Sequence, residues 1–371
     1  MAKKSVQNKI ERQVEKSVRG MSPGGIAVLL LVLAIVAFGI YVFSIKPPKR
    51  PTNAGDLTIH LLTLGNGSVG DCIFIQAGDN DILVDAGSTT SSIPTITAYI
   101  DEYVTDNTLE YVIVTHAHQD HYAGFTKENG SIFDLYTCEN IIDFALTNST
   151  AQMYGRYISE RQAEIDAGAK HYTAADCING TNGGTKIFDL GNNIELEILK
   201  NKYYFEDAHS ENDYSVCFTI NQGNKKFLFT GDLESGAERY LVDNNNIGKV
   251  EFYKAGHHGS KTSSCAYFMQ EIKPNYVGLC TVAGTDEYDV VDPLDGMISQ
   301  SFIDNVAPHT TQVYATSIMT DTTNNTVVDL NGNIVVTSTM ASTTINCSNN
   351  NTLLKDTDWL KNNRNVPTAW A

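Results

Sequence analysis

The chain has seven cysteines but no Cys-x-x-Cys pair, and few positive charges beyond its first fifty residues. The missing Cys-x-x-Cys excludes a zinc ribbon, and seven cysteines in 371 residues do not make a dense disulfide framework. Cys72, Cys217 and Cys280 lie in apolar, strand-like runs and read as buried thiols, while Cys138, Cys177, Cys265 and Cys347 are free to pair in an oxidising compartment. Residues 51–371 hold 17 basic and 41 acidic side chains. So acidic a body repels polyanions at long range, which counts against a protein that coats nucleic acid. No repeat of fixed period is visible. Apolar content of 42% and charged content of 19% are ordinary for a globular chain, so disorder is not the default.

Charge is also absent between Arg19 and Lys46, where Ile26–Ile45 is almost wholly apolar. A helix of that length rises roughly 30 Å, enough to cross a bilayer. Lys3, Lys4, Lys9, Arg12, Lys16 and Arg19 precede it; Lys46, Lys49 and Arg50 follow it. The excess on the first side puts a basic tail (1–24) in the cytoplasm, a single-pass anchor at 25–45 in the cell membrane, and the body outside. A cleaved signal peptide is the alternative, but the run is long for one and its basic region longer than usual. Residues 46–56, with Pro47, Pro48 and Pro51, read as a stiff linker.

From Leu57 onward short strand-like runs alternate with helical ones, which predicts an α/β sandwich over residues 57–345. Expected strands include Leu57–Leu62, Cys72–Gln76, Asp81–Val84, Tyr111–Val114, Lys186–Leu190, Ile194–Leu199, Tyr214–Ile220, Lys226–Thr230, Val250–Tyr253 and Tyr276–Cys280. Expected helices are Ile93–Val104, Ser235–Val242, Ser263–Ile272 and Asp295–Asn305. Residues 125–185 read as an irregular insertion with one helix near Ala151–Ile165, and 346–371 as a tail.

Thr115-His116-Ala117-His118-Gln119-Asp120-His121 follows the Tyr111–Val114 strand. A strand ending in a tight loop can turn three imidazoles and a carboxylate toward one point, and those donors suit a catalytic divalent ion. Four ligand-type residues in six positions are rare in a chain with only nine histidines. Asp232, after an apolar strand, is either a further ligand or the N-cap of the helix that follows.

His116-x-His118-x-Asp120-His121 resembles the signature of the metallo-β-lactamase superfamily. The chain is also similar to one branch of it, the hydrolase domain of ComEC-type DNA-uptake proteins and its secreted relatives. That resemblance is carried by Gly70-Asp71-Cys72-Ile73-Phe74-Ile75, Ile82-Leu83-Val84-Asp85-Ala86-Gly87, Asn212-Asp213-Tyr214-Ser215, Phe227–Glu234, and His257-His258-Gly259-Ser260. It runs from roughly Leu57 to Val336 and implies the four-layer αββα sandwich.

It further implies two divalent ions, Zn²⁺ first and Mn²⁺ second. His116 and His118 would hold one, Asp120 and His121 the other, with Asp232 bridging at the separation of about 3.5–4 Å that two-metal sites use. His258 is preferred over His257 as the remaining ligand because a Gly follows it; His257 would then face a substrate oxyanion. Asp120 would orient or accept a proton. Many family members supply a further ligand His, for which the candidates here are His209 and, in the insertion, His171, which reads rather as a surface residue; His60 and His309 have no motif support. Asp85, Asn212, Ser215 and Ser260 would support the ligands or touch substrate, and Asp85 would fix a ligand ring's tautomer. Lys254 and Lys261 could attract a phosphate oxygen, although solvated lysines are commoner.

The implied reaction is hydrolysis of a nucleic-acid or cell-envelope phosphodiester outside the membrane, with long nucleic acid disfavoured by charge. A lactone, β-lactam or thioester hydrolase on the same site is the rival enzyme. A membrane-tethered binding module without catalysis is the rival of another class.

Overall fold

Apolar residues alternate along the strands, and the alternation decides which layer each side chain enters. The computed structural model describes residues 56–286, 292–321, 323–324 and 326–371. The basic tail, the expected anchor at 25–45 and the linker to residue 55 lie outside them. Among the described residues no helix is long and apolar enough to cross a membrane.

The first sheet contains β1 (Leu57–Leu61), β2 (Ile73–Ala77), β3 (Asn80–Val84), β4 (Thr108–Val114), β5 (Thr137–Asp143) and β6 (Lys170–Thr173), with β15 (Ile334–Ser338) and β16 (Thr343–Cys347) on the β1 side. The second runs in chain order through β7 (Ile187–Gly191), β8 (Ile194–Ile198), β9 (Phe218–Gln222), β10 (Lys225–Phe229), β11 (Phe252–Lys254), β12 (Tyr276–Ala283), β13 (Val313–Asp321) and β14 (Thr326–Asp329). The helices are α1 (Ile93–Ile100), α2 (Gln152–Ala167), α3 (Ala174–Asn179), α4 (Ser235–Asn244), α5 (Ala266–Ile272), α6 (Gln300–Val306) and α7 (Asp358–Asn363), beside shorter helical turns.

Phe227 and Phe229 of β10 and Phe252 of β11 share one core with Ile59 and Leu61 of β1. Between them in sequence, Leu228 and Tyr253 enter the other core, with Leu241 of α4, Phe268 of α5 and Phe302 of α6. The sheets touch closely: a Cβ added at Gly278 would lie 2.8 Å from Leu61 Cδ2. Each fully buried side chain of this kind contributes about 1.5–3 kcal/mol. Two large sheets face to face with helices outside make the expected metallo-β-lactamase α/β architecture.

Strands β3 to β6 are parallel, as are β10 to β13. Parallel neighbours need crossovers, and α1, α2, α4, α5 and α6 supply five of them. Loops leaving the carboxyl ends of such strands gather at one rim, where open α/β sheets place their ligands. Asp85 leaves β3, His116–His121 leave β4, Asp232 leaves β10, and His257 and His258 leave β11.

Residues 125–185 are not irregular. Strands β5 and β6 extend the first sheet, and the expected helix is α2. The β5 pattern was hard to see because Thr137 and Glu139 are exposed while Ile141, Ile142 and Asp143 are all buried, which breaks alternation. Nor is 346–371 a loose tail. Leu354, Trp359, Leu360 and Trp370 join the second core, and Arg364 donates to the carbonyls of Ile298 and Gly296 at 2.7 and 2.9 Å. The helix expected at Asp295–Asn305 starts later, where the Ser299 hydroxyl accepts from Phe302 N–H and caps α6. All seven cysteines are free thiols, and Cys138 and Cys177 are buried with Cys72, Cys217 and Cys280.

Candidate metal centre

Two parallel strands build one wall. Asp85, in a left-handed backbone conformation (φ 55°) after β3, accepts from Thr115 N–H and Thr115 Oγ1, both at 2.8 Å. Its carboxylate also lies 2.8 Å from His121 Nδ1. A carboxylate at Nδ1 fixes the ring's tautomer and turns Nε2 outward. His121 Nε2 is 3.0 Å from Asp232 Oδ2.

The opposite wall repeats the device with different residues. His258 Nδ1 lies 2.9 Å from the Cys280 carbonyl and 3.2 Å from Asp71 Oδ1, while Nε2 faces Asp232 Oδ2 at 3.2 Å and Asp120 Oδ2 at 3.3 Å. His257 and His258 occupy consecutive left-handed conformations (φ 49° and 54°). Such strain in non-glycine residues persists only where surrounding contacts over-determine it. It turns the two rings apart, with centroids 6.1 Å from each other.

Donor atoms of Asp120, His121, Asp232 and His258 therefore lie within 4.8 Å of one another. His116 and His118 stand beside them: the His116 ring centroid is 4.2 Å from that of His121, and His116 Nε2 is 3.0 Å from His118 Nδ1. His257 is more remote, 3.8 Å from Asp232 Oδ2, with Nδ1 2.8 Å from Thr262 Oγ1 and its ring beside Asn212 Nδ2. Ser215 Oγ accepts from Asp232 N–H at 3.0 Å and sits 3.4 Å from His116 Nδ1. Ser260 braces the His257 loop through Thr262 at 3.2 Å. The cap of α4 falls at Glu234, so Asp232 is not a helix cap.

Other expected donors lie elsewhere. His209 is exposed and is not among the converging donors. His171 binds Asp143 at 2.8 Å, His60 packs its ring on Phe74, Tyr99 and Tyr103, and exposed Lys261 pairs with Asp295.

The donor set fits a divalent cation. Four carboxylates, Asp71, Asp85, Asp120 and Asp232, surround two imidazoles and one lysine. Burial by itself would push every carboxyl up, yet His121 and His258 hold Asp232 and Asp120 below the ordinary range. Burial by itself would push His121 and His258 down, yet Asp232 and its neighbours hold both well up. The carboxylates here thus favour a positive charge among them, which a cation would supply. Burial and His121 push His116 well down, leaving a neutral ring with a lone pair to donate. Buried Asp232 Oδ1 makes no hydrogen bond among the described residues. A cation would satisfy it.

Three further residues support the site, and two of them, Asp71 and Glu211, carry little signal in the sequence. Lys254 is not solvated; it is fully buried, ion-paired with Asp71 and 3.7 Å from Asp232 Oδ1. Asp71 thereby joins Lys254 to His258; its only signal was its place in Gly70-Asp71-Cys72. Glu211 accepts from Ala117 N–H (3.1 Å), Thr147 Oγ1 (2.9 Å) and Asn148 N–H (2.6 Å). It clamps the backbone between His116 and His118, and adjacency to Asn212 was its only signal.

The centre opens into a cavity of about 320 Å³ lined by Val69, His118, Gln119, Asp120, Asp232, His257, His258, Asp286 and Met297.

Residues 65–178 match the model of the metallo-β-lactamase superfamily. Over 68 residues the chain is 32% identical to Recombination protein 2 of Haemophilus influenzae, covering 18% of this chain and 8% of that protein. It is 34% identical over 68 residues to ComE operon protein 3 of Bacillus subtilis, covering 18% of this chain and 9% of that one. The chain thus spans less than a tenth of these curated relatives, 8% and 9%. It is also similar in structure to the metallo-β-lactamase fold protein YhfI of Bacillus subtilis, at 13% identity and a TM-score of 0.42, covering 71% of this chain and 96% of that one. The family and sequence matches thus place a metallo-β-lactamase superfamily domain at residues 65–178, with a short stretch that resembles the competence-type proteins, and the motif order, the two sheets and the donor cluster at their rim agree with that likeness.

Proposed function

We propose that the protein is a metal-dependent phosphodiesterase, tethered through residues 25–45 and acting outside the cytoplasmic membrane on nucleic-acid or cell-envelope phosphodiesters. The observation that carries this reading is the convergence of Asp120, His121, Asp232 and His258 within 4.8 Å, beside His116 and His118, at the floor of an open cavity. His116, His118 and Asp232 would hold one divalent ion and Asp120, His121, Asp232 and His258 a second. Such ions supply Lewis acidity toward a phosphoryl oxygen and lower the pKa of a water.

The chain's own residues do the rest. Asp120, with 36% of its side chain exposed, faces the cavity as a carboxylate and can accept and orient a proton there. His257 forms the facing wall, held by Thr262 and Asn212, and is placed to donate to a developing oxyanion. Asp85 and Asp71 hold the His121 and His258 rings in place.

Turnover of bis-(4-nitrophenyl) phosphate, nitrocefin and a γ-lactone by the full-length protein, with and without chelator, tests the proposal. Chelator-sensitive cleavage of the phosphodiester above the other two is expected, and Asp120→Ala and Asp232→Ala should abolish it. Full activity in either variant, or preference for lactone or β-lactam, overturns it.

A further inference from the structure

The cavity at the metal centre does not end there. It shares Val69 and Asp286 with a second cavity of about 560 Å³, which also takes in Gly284, Thr285 and Met319. That one shares Asn66, Gly67 and Ser68 with a third, of about 400 Å³, which reaches Ser317, Val327 and Asp329. Val282 lies at the end of β12 and Gly284–Asp286 in the turn that follows it, while Ser317 and Met319 sit two apart on one face of β13. A trough therefore leads from the metal centre along the ends of β12 and β13, with loop 65–69 as its other bank.

This bank is preformed. Asn66 Nδ2 lies 2.7 Å from Ser88 Oγ, 3.2 Å from Thr89 Oγ1 and 3.3 Å from Ser91 Oγ, which anchors the loop from behind. Gly67 adopts φ +70°, and a Cβ there would lie 3.4 Å from Val327 Cγ2, so the loop approaches the β13–β14 hairpin closely. Gln119, beside the metal donors, binds the Ser88 carbonyl at 3.3 Å and ties the same loop region to the centre.

The trough is poor in cationic side chains. Among the described residues no lysine or arginine lines any of the three cavities, whereas Asp286 and Asp329 do. The sequence supports this beyond the lining: no lysine or arginine occurs between Lys273 and Lys355, while eight acidic residues do. Of the two lysines flanking the site, Lys254 is buried on Asp71 and Lys261 is paired with Asp295. A surface that follows a nucleic-acid strand needs cations along its phosphates. Here a second phosphate would meet carboxylates instead. Hydroxyls and amides of Thr63, Asn66, Ser68, Thr285 and Ser317, with carboxylates that accept from hydroxyls, suit an uncharged, hydrogen-bonding chain.

Resting on the phosphodiesterase reading above, we propose that this trough binds the arm of the substrate next to the scissile diester. The arm is a neutral polyol or sugar chain rather than a nucleic-acid strand.

Two measurements on the full-length protein test this. The first is calorimetric titration in chelator, independent of turnover, with maltohexaose as neutral probe and decathymidylate as polyanion. Maltohexaose should bind saturably and at least about tenfold more tightly than decathymidylate, and Asp286→Lys/Asp329→Lys, both exposed positions, should reverse that order. Tighter binding of decathymidylate to the unmodified protein, no binding of maltohexaose, or an unchanged order in the variant each overturns the proposal. The second is the kcat/KM ratio for 4-nitrophenyl phosphodiesters of maltose and of thymidylyl-thymidine; a ratio above one that falls in the double variant is expected, and a ratio below one overturns it. Absence of all turnover, bis-(4-nitrophenyl) phosphate included, defeats the phosphodiesterase reading, while the titration still decides what the trough binds.

Discussion

Asp71→Asn is the sharpest perturbation of the centre's architecture. It keeps the side chain's size and removes one charge. Asp71 is 1% exposed and holds Lys254, itself buried, together with His258 Nδ1 at 3.2 Å. After the substitution Lys254 has Asp232 at 3.7 Å as its nearest carboxylate, and Asp232 is already engaged by His121 at 3.0 Å and His258 at 3.2 Å. Removing one partner of a buried pair costs about 3–5 kcal/mol because the remaining charge loses its compensation. For a domain of this size that is a fall in Tm of about 5–8 °C. Chemical or thermal unfolding of the full-length protein in chelator measures it without a contribution from bound ions. Lys254→Met should cost less, since raised His258 can still neutralise Asp71. The double variant Asp71→Asn/Lys254→Met should recover about 2 kcal/mol of the summed loss. A stability within about 1 kcal/mol of the unmodified protein for Asp71→Asn, or strict additivity in the double variant, would refute the reasoning.

Glu238 is buried and pushed up to about 7 by that burial, although Ser264 and Cys265 N–H groups donate to it at 2.5 and 2.8 Å. The folded chain then holds an extra proton between about pH 4.5 and 7, so this group's contribution raises stability as pH falls through 7 and levels off near 4.5. Relative to Glu238→Gln, the unmodified protein should therefore gain about 3 kcal/mol from pH 8 to pH 5 in denaturant titrations; equal pH slopes would count against it. Glu211→Ala should destabilise by about 2–4 kcal/mol, because Ala117 and Asn148 N–H lose a charged acceptor. The same variant should weaken divalent-ion uptake, read by metal analysis after dialysis, and unchanged retention would remove Glu211 from the site's support. Zn²⁺ added to the chelated protein should raise Tm, and this gain should disappear in Asp232→Ala; a gain as large in the variant would mean the ion binds elsewhere.

The local code of the site was legible in the chain. His116–His121, Asp85, Asp232 and His257-His258 each follow a short apolar strand, and strand ends aim side chains where a rim will form. The expected β1, β3, β8 and β10 agree with the structure to within a residue or so, because their apolar runs are bounded by turns such as Ala77-Gly78-Asp79-Asn80. Strands β5, β6, β14 and β16 are not legible in the sequence. Edge and near-edge strands bury less, so their pattern is diluted; β16 alternates only between partly buried and exposed.

What the sequence by itself determined is the chemistry available: imidazoles and carboxylates in a fixed order, an acidic body, and a charge-free run ahead of it. Which of these groups meet was decided by tertiary structure. His258, not His257, joins Asp120, His121 and Asp232 because two successive left-handed residues turn adjacent rings apart. Lys254 becomes an internal counter-ion rather than a surface charge because β11 lies between β10 and β12 and buries it against Asp71. Glu211 reaches Ala117 across 94 positions of chain. Local pattern records which face a residue takes, whereas partners so far apart are chosen by how two sheets stack, and the stacking energy is spread over the whole core.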